Sequence, residues 1–157
     1  MRAGIGYDIH PIERGRPLVL GGLRIPHEAG LGGHSDADVL THAVIDALLG
    51  AAALGDIGQH FPPADERYRD ANSLDLLRQT VALLDRAGYR VVNVDTTVIA
   101  EAPKLAPHLG AIRSALAGVL GVEVGAVSVK ATTADRLGAL GRGEGVAALA
   151  SALIDST

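Results

Sequence analysis

Residues 2–10 alternate as a strand does: Ala3, Ile5, Tyr7 and Ile9 fall on one face, Gly4, Gly6, Asp8 and His10 on the other. The second face is bare until it presents a carboxylate and an imidazole together, and Pro11 is expected to end the strand. Residues 18–25 read as a hairpin turning at Gly21-Gly22, and residues 30–33 as a glycine-rich loop. The period then changes. Val39, Leu40, Ala43, Ala47 and Leu48 recur at helical spacing and predict a helix that ends near Gly50.

Beyond it, residues 56–68 are irregular, with Pro62-Pro63 and mixed charges, and a loop of that length in a small domain is often functional. Ser73 reads as the N-cap of a helix carrying Leu74, Leu77, Val81 and Leu84 and stopped by Gly88. Residues 90–100, rich in Val, Thr and Ile, form the clearest strand, broken by Glu101-Ala-Pro-Lys104. A helix through Leu109, Ile112 and Leu116 to Gly121, a strand over 126–132 and a polar connection over 133–144 follow. The tail over 146–154 matches a helix stripe through Val146, Leu149, Ala150, Leu153 and Ile154. It is also apolar on both faces, as a central strand is, and periodicity alone favours helix.

Two features suggest chemistry. Asp38, His42 and Asp46 are four apart, so one helix face offers an imidazole with a carboxylate one turn to either side. That suits a metal ligand with an outer acceptor; it equally suits a solvated polar face capped by Ser35 in a Ser35 to Asp38 capping box. If this helix packs across the end of the first strand, Asp8, His10 and His42 converge. Two imidazoles and one carboxylate leave a coordination position open, as catalytic zinc sites do. The same set serves non-haem iron oxygenases, but those need a many-stranded double sheet that this chain does not predict. Without that convergence, Asp-x-His is an ordinary polar strand end.

Composition narrows the rest. The chain has 157 residues, 48% of them apolar but only 3% aromatic, so Ala, Val, Leu and Ile must build the core. That length predicts a single domain over 1–157. A net charge of −4 argues against a nucleic-acid binder. The absence of cysteine excludes a disulfide scaffold or thiolate metal site. No signal peptide and no membrane-spanning run is evident, which predicts a cytoplasmic protein.

Seven motifs occur in order: Gly6-Tyr-Asp-Ile-His10, Gly33-His-Ser-Asp-Ala-Asp38 with His42, Gly55-Asp-Ile-Gly58, Phe61-Pro62 with Asp65, Ala100-Glu-Ala-Pro-Lys104, Lys130-Ala-Thr-Thr133 and Gly141-Arg-Gly-Glu-Gly145. Together they closely resemble the 2-C-methyl-D-erythritol 2,4-cyclodiphosphate synthase family of the non-mevalonate isoprenoid pathway, from about residue 2 to the C-terminus. The resemblance implies an α+β fold, a mixed four-stranded sheet with helices packed on one face, assembled as a homotrimer. The tail then becomes a strand. It implies conversion of 4-diphosphocytidyl-2-C-methyl-D-erythritol 2-phosphate to the cyclic diphosphate and CMP, in sites between neighbouring subunits.

The resemblance also implies roles. Asp8, His10 and His42 match the zinc ligands. His34, Ser35, Asp56, Ile57 and Gly58, with Phe61 and Asp65, match the side that holds the erythritol phosphate. Ala100, Pro103, Lys104, Leu105 and Ala106, with Ala131, Thr132 and Thr133, match the cytidine pocket of the adjacent subunit. His34 and Thr133 match residues that stabilise the transition state. Asp135 matches the ligand of a second divalent ion, magnesium or manganese, and Arg142 with Glu144 the mouth of an axial channel that can hold an isoprenoid diphosphate. Three positions depart from the family pattern: Asp135 where Glu is usual, Pro63 where Asp is usual, and Ala139 where an aromatic often stands. Two other functions use the same residues. A metal-dependent phosphohydrolase would give an open diphosphate, and a trimeric isoprenoid-diphosphate binder would release no CMP.

Overall fold

The computed structural model describes all residues, 1–157. Strand β1 is Arg2–Arg14. It does not stop at Pro11, as the sequence predicts, but changes partner there. Pro11 has no N–H to give, and its carbonyl accepts from Gly32 N at 2.9 Å. Before it β1 pairs with the C-terminal strand; after it, Ile12 to Arg14 pair with a short strand, β4 (Ala29–Leu31). The glycine-rich loop expected over 30–33 therefore begins as a strand. A three-residue strand containing Gly30 carries too little local signal to show this. Between them, β2 (Leu18–Leu20) and β3 (Leu23–Ile25) form the expected hairpin around Gly21-Gly22.

Helix α1 (Val39–Ala52) is apolar almost all round, and every residue but Asp46 and Gly50 is buried. Short helix α2 (Ile57–His60) and a 3-10 turn at Glu66–Tyr68 organise the stretch that sequence leaves irregular. Helix α3 (Ser73–Arg86) buries Leu76, Leu77, Thr80 and Leu84; its N-cap is Asn72, not Ser73, with the Asn72 side chain accepting from Leu74 N. Strand β5 (Tyr89–Ile99), helix α4 (Leu109–Leu120, closed by left-handed Gly121), strand β6 (Val127–Thr132) and short helix α5 (Gly138–Gly141) follow. The tail is strand β7 (Gly145–Ser156), and the helix that periodicity favours does not form. It lies between β1 and β5 and hydrogen-bonds to both, so its place as a central strand is set by its two neighbours and not by a helical stripe.

The main sheet runs β4-β1-β7-β5-β6, parallel only between β5 and β6. The α+β architecture with a mixed sheet holds, with five strands rather than four because β4 adds to the edge. One cluster of 34 buried residues joins the sheet to α1, α3 and α4. Along β7, Val146, Ala148, Ala150, Ala152 and Ile154 are buried, whereas Leu149 and Ser151 are exposed. The helices thus cover one face of the sheet and leave Ile5, Tyr7, Ile9 and Leu149 open on the other, Ile5 at 83% exposure. No helix is long and apolar enough to cross a membrane.

Candidate metal centre

The bare face of β1 lies directly under α1. A Cβ added at Gly4 would meet the Ala47 carbonyl oxygen at 2.1 Å, so only glycine lets the helix settle there. This close approach carries His42 over the polar end of the strand. Asp8 Oδ2 lies 2.9 Å from His10 Nε2 and 3.1 Å from His42 Nδ1, and the two nitrogens are 3.2 Å apart. His10 Nδ1 lies 2.8 Å from the Gly32 carbonyl, which can only accept, so Nδ1 carries the proton and Nε2 turns a lone pair inward. Ligands at ~2.0–2.1 Å on a tetrahedral ion stand roughly 3.3 Å apart, so these spacings and donor types fit a divalent metal. Burial works against charge on Asp8, but His10 and His42 outweigh it and bring its carboxyl down to about 2. Burial likewise opposes a charged His10, yet Asp8 outweighs it and raises the imidazole above its ordinary value.

The flanking carboxylates do not serve His42 as the helix spacing suggested. Asp38 is the N-cap of α1 and is fully buried. It accepts from Thr41 N and Oγ1 at 3.0 and 2.7 Å and from Gly21 N and Gly22 N at 3.0 and 2.7 Å. Burial pushes its carboxyl above the usual range. The Ser35 to Asp38 capping box therefore does not form. Asp46 accepts from Ile57 N at 2.7 Å and so anchors α2; burial raises its carboxyl too. What holds His42 is a pair of hydroxyls at Nε2, Ser73 Oγ at 2.9 Å and Ser35 Oγ at 3.2 Å. Ser73 and its carboxylate partner Asp36 were not legible as site residues, because the contact joins positions 31 apart in the chain.

A cavity of about 230 Å³ opens on this centre and is lined by Asp8, His10, His34, Ser35, His42, Ile57, Gly58 and Phe61, with Pro63, Tyr68 and Leu76. His34 Nε2 donates to the Asp65 carbonyl at 3.2 Å. Asp56 caps α2 beside the cavity, accepting from Gln59 N at 2.9 Å. The Asp65 side chain does not line the cavity; Arg67 claims it with contacts of 2.6–3.1 Å. Tyr68 is a lining residue that the motif reading missed.

A second cavity, about 210 Å³, collects Ala100, Pro103, Lys104, Leu105 and Ala106 with Ala131, Thr132 and Thr133. It shares no residue with the first. Glu101, also lining it, accepts from Ala134 N at 2.8 Å and ties this cavity to the turn that carries Asp135. Asp135 is exposed in left-handed backbone, φ 50°, beside Thr133. Arg142 lies outside both cavities, paired with Glu144 at 2.6 Å.

The sequence profile of the YgbB family matches residues 1–155. A protein of Syntrophomonas wolfei subsp. wolfei named 2-C-methyl-D-erythritol 2,4-cyclodiphosphate synthase is 59% identical over 155 residues, covering 99% of each chain. The bifunctional IspDF of Campylobacter jejuni superposes with a TM-score of 0.96 at 41% identity, covering 99% of this chain and 42% of that one. A solved 2C-methyl-D-erythritol-2,4-cyclodiphosphate synthase in its CDP-bound form superposes with a TM-score of 0.90 at 36% identity, covering 98% of this chain and all of the other.

Proposed function

The chain belongs to the YgbB family, and on that premise we propose that its residues divide a cyclising reaction between a metal half and a nucleotide half. It converts 4-diphosphocytidyl-2-C-methyl-D-erythritol 2-phosphate to 2-C-methyl-D-erythritol 2,4-cyclodiphosphate and CMP, in the cytoplasm, through a single domain spanning 1–157. An oxygen of the 2-phosphate forms a bond to the β-phosphorus. The bond between that phosphorus and the oxygen bridging to the α-phosphate breaks, and CMP leaves with that oxygen and its electron pair.

The observation that carries this reading is the convergence of Asp8, His10 and His42 on the wall of the cavity of about 230 Å³. A zinc ion on these three residues, and magnesium or manganese on Asp135, would neutralise the diphosphate and polarise its β-phosphorus. A phosphate monoester has its second pKa near ~6, so the nucleophile needs no strong base. Accordingly Asp36, Asp38 and Asp46 are all committed to holding backbone or hydroxyl donors. His34 and Ser35, with the α2 N-terminal residues Asp56, Ile57 and Gly58 and the apolar wall of Phe61, receive the erythritol phosphate. Asp65 contributes its backbone through His34.

In the nucleotide half, Thr133 donates to a phosphate oxygen and Lys104 supports the departing CMP. Backbone at Ala100 and Ala131 reads the pyrimidine edge between Pro103, Leu105, Ala106 and Thr132; the CDP-bound relative supports a cytidine nucleotide here. Because the two cavities are separate within one chain, a neighbouring copy supplies the missing half. The open sheet face bearing Ile5, Tyr7, Ile9 and Leu149 supports a homotrimer. Arg142, paired with Glu144, would then meet an isoprenoid diphosphate on the trimer axis.

The test is product analysis by phosphorus NMR with the substrate, zinc and magnesium. Cyclic diphosphate with stoichiometric CMP is expected. An open diphosphate would identify a phosphohydrolase instead, and no CMP at all a binding protein.

A further inference from the structure

We propose that Ser73, backed by Asp36, is a positioning residue that fixes the tautomer of His42 and so aims its Nδ1 lone pair into the metal centre. The proposal rests on reading Asp8, His10 and His42 as metal ligands. Ser73 is completely buried at the first turn of α3, where a serine would ordinarily serve the helix. Asn72 already caps that helix, so the Ser73 hydroxyl is available for another task. One Asp36 oxygen accepts from Ser73 N at 2.8 Å and the other from the Ser73 hydroxyl. A carboxylate can only accept, so the single hydroxyl proton of Ser73 goes to Asp36. What Ser73 then turns to His42 Nε2, 2.9 Å away, is a lone pair. Asp8 Oδ2, 3.1 Å from Nδ1, is also an acceptor and draws the proton the other way. The Ser73 lone pair opposes it and favours the proton on Nε2, which leaves the Nδ1 lone pair for a metal shared with Asp8 and His10.

Ser35 cannot make this choice, although its hydroxyl also lies 3.2 Å from Nε2. Its proton is not committed to a carboxylate, so it can serve either tautomer. The frame around the relay is fixed by backbone: Asp70 N donates to the His34 carbonyl at 2.9 Å and Asp36 N to the Ala71 carbonyl at 3.1 Å. These bonds clip the loop bearing Ser35 and Asp36 to the start of α3.

The experiment compares wild type with Ser73→Ala, Ser73→Thr and Asp36→Asn. Zinc affinity is read by chelator competition, and the His42 tautomer by ¹⁵N NMR of histidine-labelled, metal-free protein under conditions where the imidazole is neutral. Ser73→Ala should weaken zinc binding about 10–100-fold, and Ser73→Thr should restore it. Asp36→Asn should act differently from a packing defect. Its amide can donate to Ser73, turning the Ser73 proton toward Nε2 and shifting His42 toward the Nδ1–H tautomer. Unchanged zinc affinity and unchanged His42 nitrogen shifts in Asp36→Asn would overturn the proposal, even if Ser73→Ala failed to fold. If His42→Ala bound zinc as tightly as wild type, the metal reading itself would fail and the relay with it.

Discussion

Gly6 lies so close beneath Ala43 that a Cβ built on it would stand 1.9 Å from the Ala43 carbonyl oxygen. His42, the residue before Ala43 on α1, therefore sits 3.1 Å from Asp8, two residues along the strand from Gly6. Strand and helix meet backbone to backbone, and the metal centre depends on that fit.

Gly6→Ala should push α1 off the sheet. The overpacking should cost about 1–3 kcal/mol or more, read by chemical denaturation, and zinc affinity should fall although no ligand has changed. Loss of stability with unchanged zinc affinity would show that the centre tolerates a shifted helix.

His42→Ala should leave the fold intact but drop zinc occupancy far below one equivalent after dialysis. Turnover should fall by more than the ~100-fold typical of losing an outer partner. Full occupancy with a near-normal rate would remove His42 from the ligand set.

Metal-free protein should lose part of its stability as pH rises. His10 is raised above its ordinary value, so its pairing with Asp8 stabilises fully below the unfolded value near ~6.5 and is lost as pH climbs through the folded one. Asp8 is lowered to about 2 from 3.8, so its share persists above the unfolded value and is lost only as pH falls through about 2. In chelator, the melting-temperature gap between wild type and Asp8→Asn should be widest below the unfolded histidine value near ~6.5 and narrow as pH rises through the raised folded one. Zinc should reverse the trend, because it competes with protons for these ligands. A gap that stays constant across this range would refute the linkage.

Asp135→Glu should lower the magnesium or manganese concentration needed for half-maximal rate, since the longer side chain reaches further. Asp suits the left-handed backbone there, φ 50°, better than Glu does, so a loss of a few tenths of a kcal/mol in stability should accompany the gain. An ion requirement identical in both proteins would argue that Asp135 is not a ligand.

Mixed trimers test the shared site. His42→Ala disables the metal half and Thr132→Trp the nucleotide half, and each alone should be inactive yet trimeric. With random exchange at equal amounts, about a quarter of interfaces join two intact halves, and that fraction of wild-type activity should return. Zero recovery, with subunit exchange verified by mass spectrometry, would mean that each chain carries a whole site.

The sequence by itself carried most of the local elements and, on the condition that the helix crosses the strand end, the candidate ligands Asp8, His10 and His42. Alternation put Gly4, Gly6, Asp8 and His10 on one strand face, and helical spacing put Ala43 and Ala47 on the helix that meets it. The bare glycines and the Asp-x-His end were readable because period-2 and period-3.6 patterns are properties of neighbouring residues. Tertiary structure decided what depends on distant partners. Residues 145–156 are a strand because β1 and β5 flank them, which a helix-like stripe could not reveal. Residues 29–31 are a strand because β1 outruns Pro11. Asp38 and Asp46, equally spaced about His42, turn instead to Gly21-Gly22 and to Ile57, where buried backbone N–H groups need acceptors. The imidazole they leave is taken up by Ser73, a residue that sequence assigns to a helix cap. Hydrogen bonds within one turn are written in the spacing of a sequence; those that close a loop of thirty residues are settled only when the core has packed.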